Sequence, residues 1–388
     1  MALANTHHSY GSAARVLHWM TALVILTAFP LGLIANAWPW ETSDQFAVKA
    51  TLFSLHKTVG LMAFTLAVVR ITWAVVQPHP APIHPERRWE TALAGVVHWM
   101  LYLSLLIVPL SGWVHHAATT GFAPIWWPFG QSLPFVPVDD GVASASAAMH
   151  WLFTKVLAAS LVLHVAGAIK HHALDRDATL VRMWRGTPAG GDRAAHGWAP
   201  AGIAVVLYGM ATAAALALVP TDTARPTLGA GTGNWQVTEG TLAIEVRQMG
   251  SAIEGSFGQW TADIDYDPDT RSGTVQVTID IESLRLGSVT AQAMGADFFA
   301  ADDHPTAVFA ADIGDRDGDL VADGTLTLRG TEAPVTLPFV LRIDGDRAVM
   351  EGQTTLDRRD FAIGMGQTDP ATLGFDVAVR IALEAERE

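Results

Sequence analysis

Five stretches of this chain are too long and too apolar for a small aqueous core: Ala14 to Trp38, Thr51 to Val76, Thr91 to Val114, Ala148 to Ile169 and Ala199 to Val219. About 20 residues at 1.5 Å each cross a bilayer, so each stretch reads as a membrane span. Spanning segments must satisfy their backbone groups internally, which makes these runs helical. The first run is too long for a signal-peptide core and no clean small-x-small site follows it, so it is expected to be a retained span. Pro30 and Pro109 are expected to kink spans one and three, with neighbours satisfying the freed carbonyls.

The chain changes character after Pro220. Residues 1 to 226 carry 13 Lys and Arg against 10 Asp and Glu, whereas residues 227 to 388 carry 11 against 28. The overall net charge of −14 therefore blends a part of +3 with a part of −17. The first part also holds 14 of the 15 His and 12 of the 14 Trp, which predicts two modules in different solvents. Neither has the basic stripe of a nucleic-acid binder. The absence of cysteine excludes disulfides, thiolate metal sites and haem attached through C-x-x-C-H.

Basic residues near the span ends set the expected orientation. His79, His84, Arg87 and Arg88 follow span two, and Arg176, Arg182, Arg185 and Arg193 follow span four. The opposite connections hold Lys49 with Glu41 and Asp44, and then no Lys or Arg from His115 to Ala147. The N-terminus is thus expected in the cytoplasm of a bacterium, with five passes through the inner membrane and the chain after Pro220 in the periplasm. Trp126, Trp127, Phe129 and Phe135 read as an interfacial aromatic belt.

An ionisable side chain inside a span is a functional candidate because it is costly there unless paired or bound. His18, His56 and His98 lie in the first three spans, His150 and His164 share the fourth, and the fifth has none, which sets it apart as an anchor. His150 and His164 are 14 residues apart, which puts them on one helix face and about 21 Å apart along the axis. His18 lies level with His164, and His56 with His150. One histidine between packed spans can simply hydrogen-bond a neighbouring helix; four at matching depths favour two stacked bis-histidine sites. Haem b suits an apolar four-helix seam with an imidazole on each face, and zinc or copper on the same histidines stays open.

At these positions residues 8 to 185 resemble the prokaryotic cytochrome b561 family. The resemblance rests on Arg15-Val-Leu-His18-Trp19, Leu55-His56-Lys57-Thr58-Val59-Gly60, Val97-His98-Trp99, His150-Trp151, and Leu163-His164 followed by His171-His172. It implies four spans holding two haems b, with His18, His56, His150 and His164 as axial ligands and electrons passing between a periplasmic donor, superoxide in some members, and the quinone pool. Lys57 at the outer haem and Arg15 at the inner one are candidate cofactor contacts; snorkelling of Lys57 and positive-inside anchoring of Arg15 and Arg70 are the competing readings. His98 borders the inner site or is a satisfied interhelical histidine. His115, His116, His171 and His172, at span ends, are expected to be solvated. For superoxide the outer side should present a positive funnel, yet it offers only Lys49, Lys57 and Lys155.

The acidic part alternates apolar and polar residues at Thr241 to Val246, Gly273 to Ile281, Thr306 to Ile313, Leu320 to Leu328, Val335 to Ile343, Ala348 to Leu356 and Leu373 to Leu383. Turns are expected at Asp265 to Asp269, Gly314 to Gly318 and Asp344 to Asp346. About eight strands predict an antiparallel barrel wide enough for one small ligand. Its one histidine, His304, precedes Pro305 in a turn, and the Asp-rich turn at Asp315 to Asp319 lacks the spacing and closing Glu of an EF-hand. From about Asn234 to Glu384 this part resembles the YceI-like family, through Gly255-Ser-Phe257-Gly258, Val277-Thr-Ile279-Asp280, Asp297-Phe298-Phe299 with His304-Pro305, and Gly324-Thr-Leu-Thr-Leu-Arg-Gly330. That family implies a lipocalin-like barrel around an isoprenoid chain; Trp235 stands where another aromatic opening residue is usual.

The resulting expectation is a membrane all-α four-helix haem bundle (8–185), a cytoplasmic loop, fifth transmembrane helix and linker (186–226), and an all-β antiparallel lipocalin-like barrel (227–388). The expected function is quinone-linked electron transfer by a di-haem b cytochrome, tethered through a flexible segment over 221–233 to a periplasmic barrel that binds ubiquinone or another isoprenoid quinone. The alternatives are a lipid carrier or envelope-stress module with a membrane anchor, and a cytochrome subunit of a separate dehydrogenase.

Overall fold

The computed structural model of the chain describes residues 2–119, 122–129, 131–190, 198–217, 227–228, 231 and 233–387. Most of the expected tether and Arg193 lie outside the described residues. Five helices are long and apolar enough to cross a membrane. They are α1 (Ser12–Ala37), α2 (Ser43–Val76), α3 (Arg88–Ala118), α4 (Asp140–Ile169) and, after the short α5 (Thr179–Arg185), α6 (Ala199–Ala217). Asp139 caps α4 by accepting from the Val142 amide at 2.8 Å. The helix then continues as a π-helix over Lys170–Asp175 and stops where Arg176 turns left-handed.

Large aliphatic side chains cover the outside of the bundle: Leu23, Val75, Val162 and Val206 are each more than 60% exposed. Water would not tolerate that surface over five helices, but lipid solvates it. Inside, Ile25 of α1, Ala67 of α2 and Leu105 of α3 pack with Leu161 of α4, joining all four helices. The sixth helix is more than the anchor its lack of histidine suggested. Tyr208 stacks on Phe153 of α4 with ring centres 5.0 Å apart, and its hydroxyl bonds the buried Ser104 hydroxyl of α3 and the Met100 carbonyl.

The rest of the chain is mainly β: β1 (Thr227–Leu228), β2 (Trp235–Gln248), β3 (Ser251–Phe257), β4 (Gln259–Asp267), β5 (Ser272–Asp280), β6 (Leu284–Arg285), then, after the short α7 (Thr290–Ala293), β7 (Thr306–Arg316), β8 (Asp319–Leu328), β9 (Thr331–Asp344), β10 (Arg347–Asp357) and β11 (Leu373–Arg387). Neighbouring strands pair in sequence from β4 through β5, β7, β8, β9, β10 and β11 to β2 and β3. Pairing of Trp235 with Ile264 joins β2 to β4 and closes the ring. Since β3 and β4 form one strand bent at Gly258, with both halves facing β2, the result is a closed eight-stranded antiparallel barrel. Closure covers most strand edges, although β9 and β10 pair only from Phe339 to Asp344 and Arg347 to Gly352 and splay apart beyond.

Two compact units divide the chain: Met1–Ala37 with Leu52–Ala118 and Ile125–Pro220, and Trp38–Thr51 with Thr119–Pro124 and Thr221–Glu388. Within the second, Ser43 donates its amide to the Gly366 carbonyl, and its hydroxyl accepts from the amides of Thr368 and Asp369. Gln367 donates to the Trp40 carbonyl at 2.9 Å, and the buried Phe46 meets Phe122, which packs on the barrel core.

Candidate functional site

In the bundle, the imidazoles of His56 and His150 lie with centres 6.3 Å apart. A metal–imidazole bond is about 2 Å and a ring nitrogen lies about 1 Å from the ring centre, so two rings flanking one metal sit about 6 Å apart. Each ring is oriented by a carbonyl. His56 donates through Nδ1 to Ala28 of α1 and His150 through Nδ1 to Val108 of α3, both at 2.9 Å. That hydrogen bond fixes the tautomer and leaves Nε2 with a free lone pair, the arrangement found for metal-bound histidines.

The same local device supplies room on both helices. A Cβ on Gly32 would stand 2.7 Å from the His56 ring, and one on Gly112 would stand 2.9 Å from the His150 ring. In α1 the order is Ala28, Pro30, Gly32, and in α3 it is Val108, Pro109, Gly112. A carbonyl acceptor is thus followed, four residues on, by the glycine beside the same ring, with a helix-distorting proline between them. Gly60, one turn after His56, and Gly167, three residues after His164, have open space where a side chain would be. Two flanking imidazoles, set tautomers and small residues beside them fit a flat macrocycle that the Nε2 atoms of His56 and His150 would hold.

His18 and His164 form the other pair, 6.0 Å between ring centres, and His98 lies edge-on to His164 at 5.1 Å. Here the group that orients the ring is a donor instead of a carbonyl. Arg70, which can only donate, bonds Nδ1 of His18 at 3.0 Å and lies over Tyr102. His18 therefore keeps its proton on Nε2, and ligation through that atom requires Arg70 to release the ring. Arg15 donates to the Trp184 carbonyl, and Trp19 donates to that of Met183 while packing on the Trp184 ring. The buried Ile25, Ala67 and Leu105 lie between the two histidine pairs along their helices.

Lys57 follows His56 but turns to His116, with Nζ 3.2 Å from Nδ1. The other ring nitrogen of His116 bonds Gln131, which also holds both backbone groups of Ile125. His115 bonds the Ala143 carbonyl. The expectation that these span-end histidines are solvated is corrected: His116 is 7% exposed, and buried imidazoles take protein partners in place of water. The same correction applies to His171, while His172 is exposed as expected. His171 shares Asp177 with His84, at 2.7 and 3.2 Å, and their rings stack. Glu90, His171 and Asp175 come close enough to suggest a cation site, but Lys170 and Arg87 already bridge the two carboxylates. Burial alone would raise the Asp177 carboxyl; hydrogen bonds from Thr179 and His171 outweigh it and hold the group down at about 2.

The barrel encloses two cavities of about 190 and 90 Å³ that share Leu242, Val277, Phe309, Leu337 and Ile381 as wall residues. The larger is bounded by β2, β10, β11 and the 286–299 segment. The smaller is closed by Trp235, Trp260 and Tyr266, the Trp235 indole donating to the Tyr266 carbonyl. The walls are almost wholly aliphatic and aromatic, suited to an apolar chain held by burial.

Comparison with known proteins agrees with both halves. Residues 9–186 match the family described as prokaryotic cytochrome b561, and residues 235–385 match the YceI-like domain. The chain is 32% identical to cytochrome b561 homolog 2 of Escherichia coli over 47% of its own length and 95% of that protein. It is 24% identical to the probable superoxide oxidase CybB of Yersinia pestis over 46% of its length and 96% of that protein. Among solved structures, Burkholderia cenocepacia BcnA is 28% identical over 37% of this chain and 95% of its own, with a TM-score of 0.36. The chain belongs to the prokaryotic cytochrome b561 family through its helical part and carries a YceI-like domain after it.

Proposed function

We propose that the chain is a di-haem b cytochrome that transfers electrons between a donor at the periplasmic face and the membrane quinone pool, with its barrel as a periplasmic isoprenoid-quinone site. Family membership implies haem b; the count of two rests on two histidine pairs, each with rings about 6 Å apart, the observation that carries this reading. His56 and His150 would hold one group, and His18 and His164 the other. A haem held between the two imidazoles of either pair would supply one-electron exchange. The protein contributes orientation of the rings, exclusion of water by the apolar interior, and cations: Lys57 beside the outer pair, Arg15 and Arg70 beside the inner one.

The positive-inside pattern supports a cytoplasmic N-terminus and a periplasmic barrel. Superoxide is the donor class to test first, since the Yersinia pestis relative is named for that activity. Two superoxide ions would give up one electron each and leave as two dioxygen molecules, and the two electrons with two protons would convert one quinone to its quinol. Purified full chain supplied with superoxide and ubiquinone should form quinol, and His150→Ala should stop it. A wild-type rate no faster than the uncatalysed reaction, with haem present, overturns superoxide as donor.

A further inference from the structure

The larger barrel cavity has four polar side chains on its wall, and two of them have nothing to bond. Gln248 extends the inward-facing row Leu242, Ile244, Val246 of β2, where an apolar residue would continue the pattern. It is 4% exposed, its Oε1 is fully buried, and its carboxamide has no hydrogen-bond partner among the described residues. Gln292 of α7, 9% exposed, lines the same cavity, and its carboxamide also has no partner among the described residues. A buried amide oxygen is costly unless bonded, and the cavity wall that Gln248 shares with Gln292 is where a bound molecule could meet it.

The other two polar residues are already committed. Thr354 donates to the Thr336 carbonyl. Arg358, 4% exposed, donates from Nε to Gly374, from Nη1 to Ile363 and Gly364, and from Nη2 to Gln367 and Leu373. A guanidinium has five N–H donors, and all five are spent on backbone carbonyls. A cation lines the cavity, yet it has no hydrogen bond to offer an anionic ligand. The smaller cavity is aliphatic and aromatic, and the unbonded Trp260 indole is its one polar orphan among the described residues.

We propose that Gln248 and Gln292 hold the head of a neutral prenyl lipid, a quinone or its quinol, whose tail runs into the smaller cavity. Amide N–H and C=O groups together match the carbonyls of the one and the hydroxyls of the other, whereas a prenyl phosphate finds no free donor on Arg358. This rests on the reading of the barrel as an isoprenoid site. The test is native mass spectrometry of the detergent-purified full chain titrated with three probes of equal tail length: ubiquinone-3, farnesyl phosphate and farnesene. Leu337→Trp and Val277→Phe, which fill the wall shared by both cavities, serve as references for binding elsewhere on the chain.

Ubiquinone-3 should bind the barrel at least tenfold more tightly than either other probe, a preference of about 1.4 kcal/mol. Gln248→Leu with Gln292→Leu should remove that preference while leaving farnesene binding equal or tighter. A preference for farnesyl phosphate, or an unchanged preference in the double variant, overturns the assignment. If the blocked variants lose all three probes in that second case, the barrel is still a lipid site with an unread head. If the blocked variants bind all three probes as the wild type does, the barrel reading itself fails.

Discussion

A methyl group at Gly112 would stand 2.9 Å from Nδ1 of His150, closer than real Cβ atoms approach ring atoms, so Gly112→Ala is expected to push the imidazole off the Val108 carbonyl. The visible spectrum should then show about half the haem of the wild type, with the His18 and His164 site kept; full haem content would show that the glycine is not needed for the ring. Asp177 gives a prediction of a different kind. Its carboxyl is held at about 2 against an ordinary 3.8, so its stabilisation is complete above about pH 4 and disappears as the pH falls through about 2. Asp177→Asn should therefore cost about 1 kcal/mol at pH 6, after solvent screening of the pair, and almost nothing near pH 2, measured as the difference in denaturant unfolding between the two proteins. An equal difference at both pH values would contradict the assigned hydrogen bonds.

Among the elements, long apolar runs and period-two strands were legible because each reports burial along the whole segment. What escaped was local. The strand β4 was missed because Asp265 to Asp269 carries turn residues, yet Tyr266 still points inward and the turn begins only after Asp267. In β3, Gly255 interrupts the alternation where Arg285 and Leu286 cross too closely for any Cβ. The histidine pairs could be anticipated from depth and phase, whereas their carbonyl acceptors and glycine clearances could not, because hydropathy averages them into a kinked span. Proline followed closely by glycine inside both spans was the available signal. Arg358 was equally silent in the sequence, although it ties the segment from Ile363 to Gly374 to the barrel. Arg358→Met should leave five carbonyls without their donor and cost about 3 kcal/mol. Cleavage at Asp369 by an Asp-specific protease should accelerate at least tenfold; an unchanged rate would mean that other contacts hold the segment.

At the scale of the whole molecule, a near-neutral helical part with an apolar exterior and a strongly acidic closed barrel follow the two solvents that the charge split announced. On the proposed reading the bundle works through its paired histidines, and the fifth long helix adds packing through Tyr208 and Phe153. The barrel offers an apolar interior with a few polar side chains on the wall of its larger cavity. On the proposed reading, carrying a lipid site and an electron-transfer bundle in one chain would raise the effective concentration of each for the other, which gives the fusion a physical rationale. The central claim is that each histidine pair holds one haem b. The decisive measurement is the haem count of the detergent-purified chain, taken from its visible spectrum and its native mass above the 41.4 kDa polypeptide. Two noncovalent haems with low-spin spectra, falling to one in His150→Ala, is the predicted result; a haem-free chain from haem-sufficient cells, or a His150→Ala variant that keeps both, would contradict it.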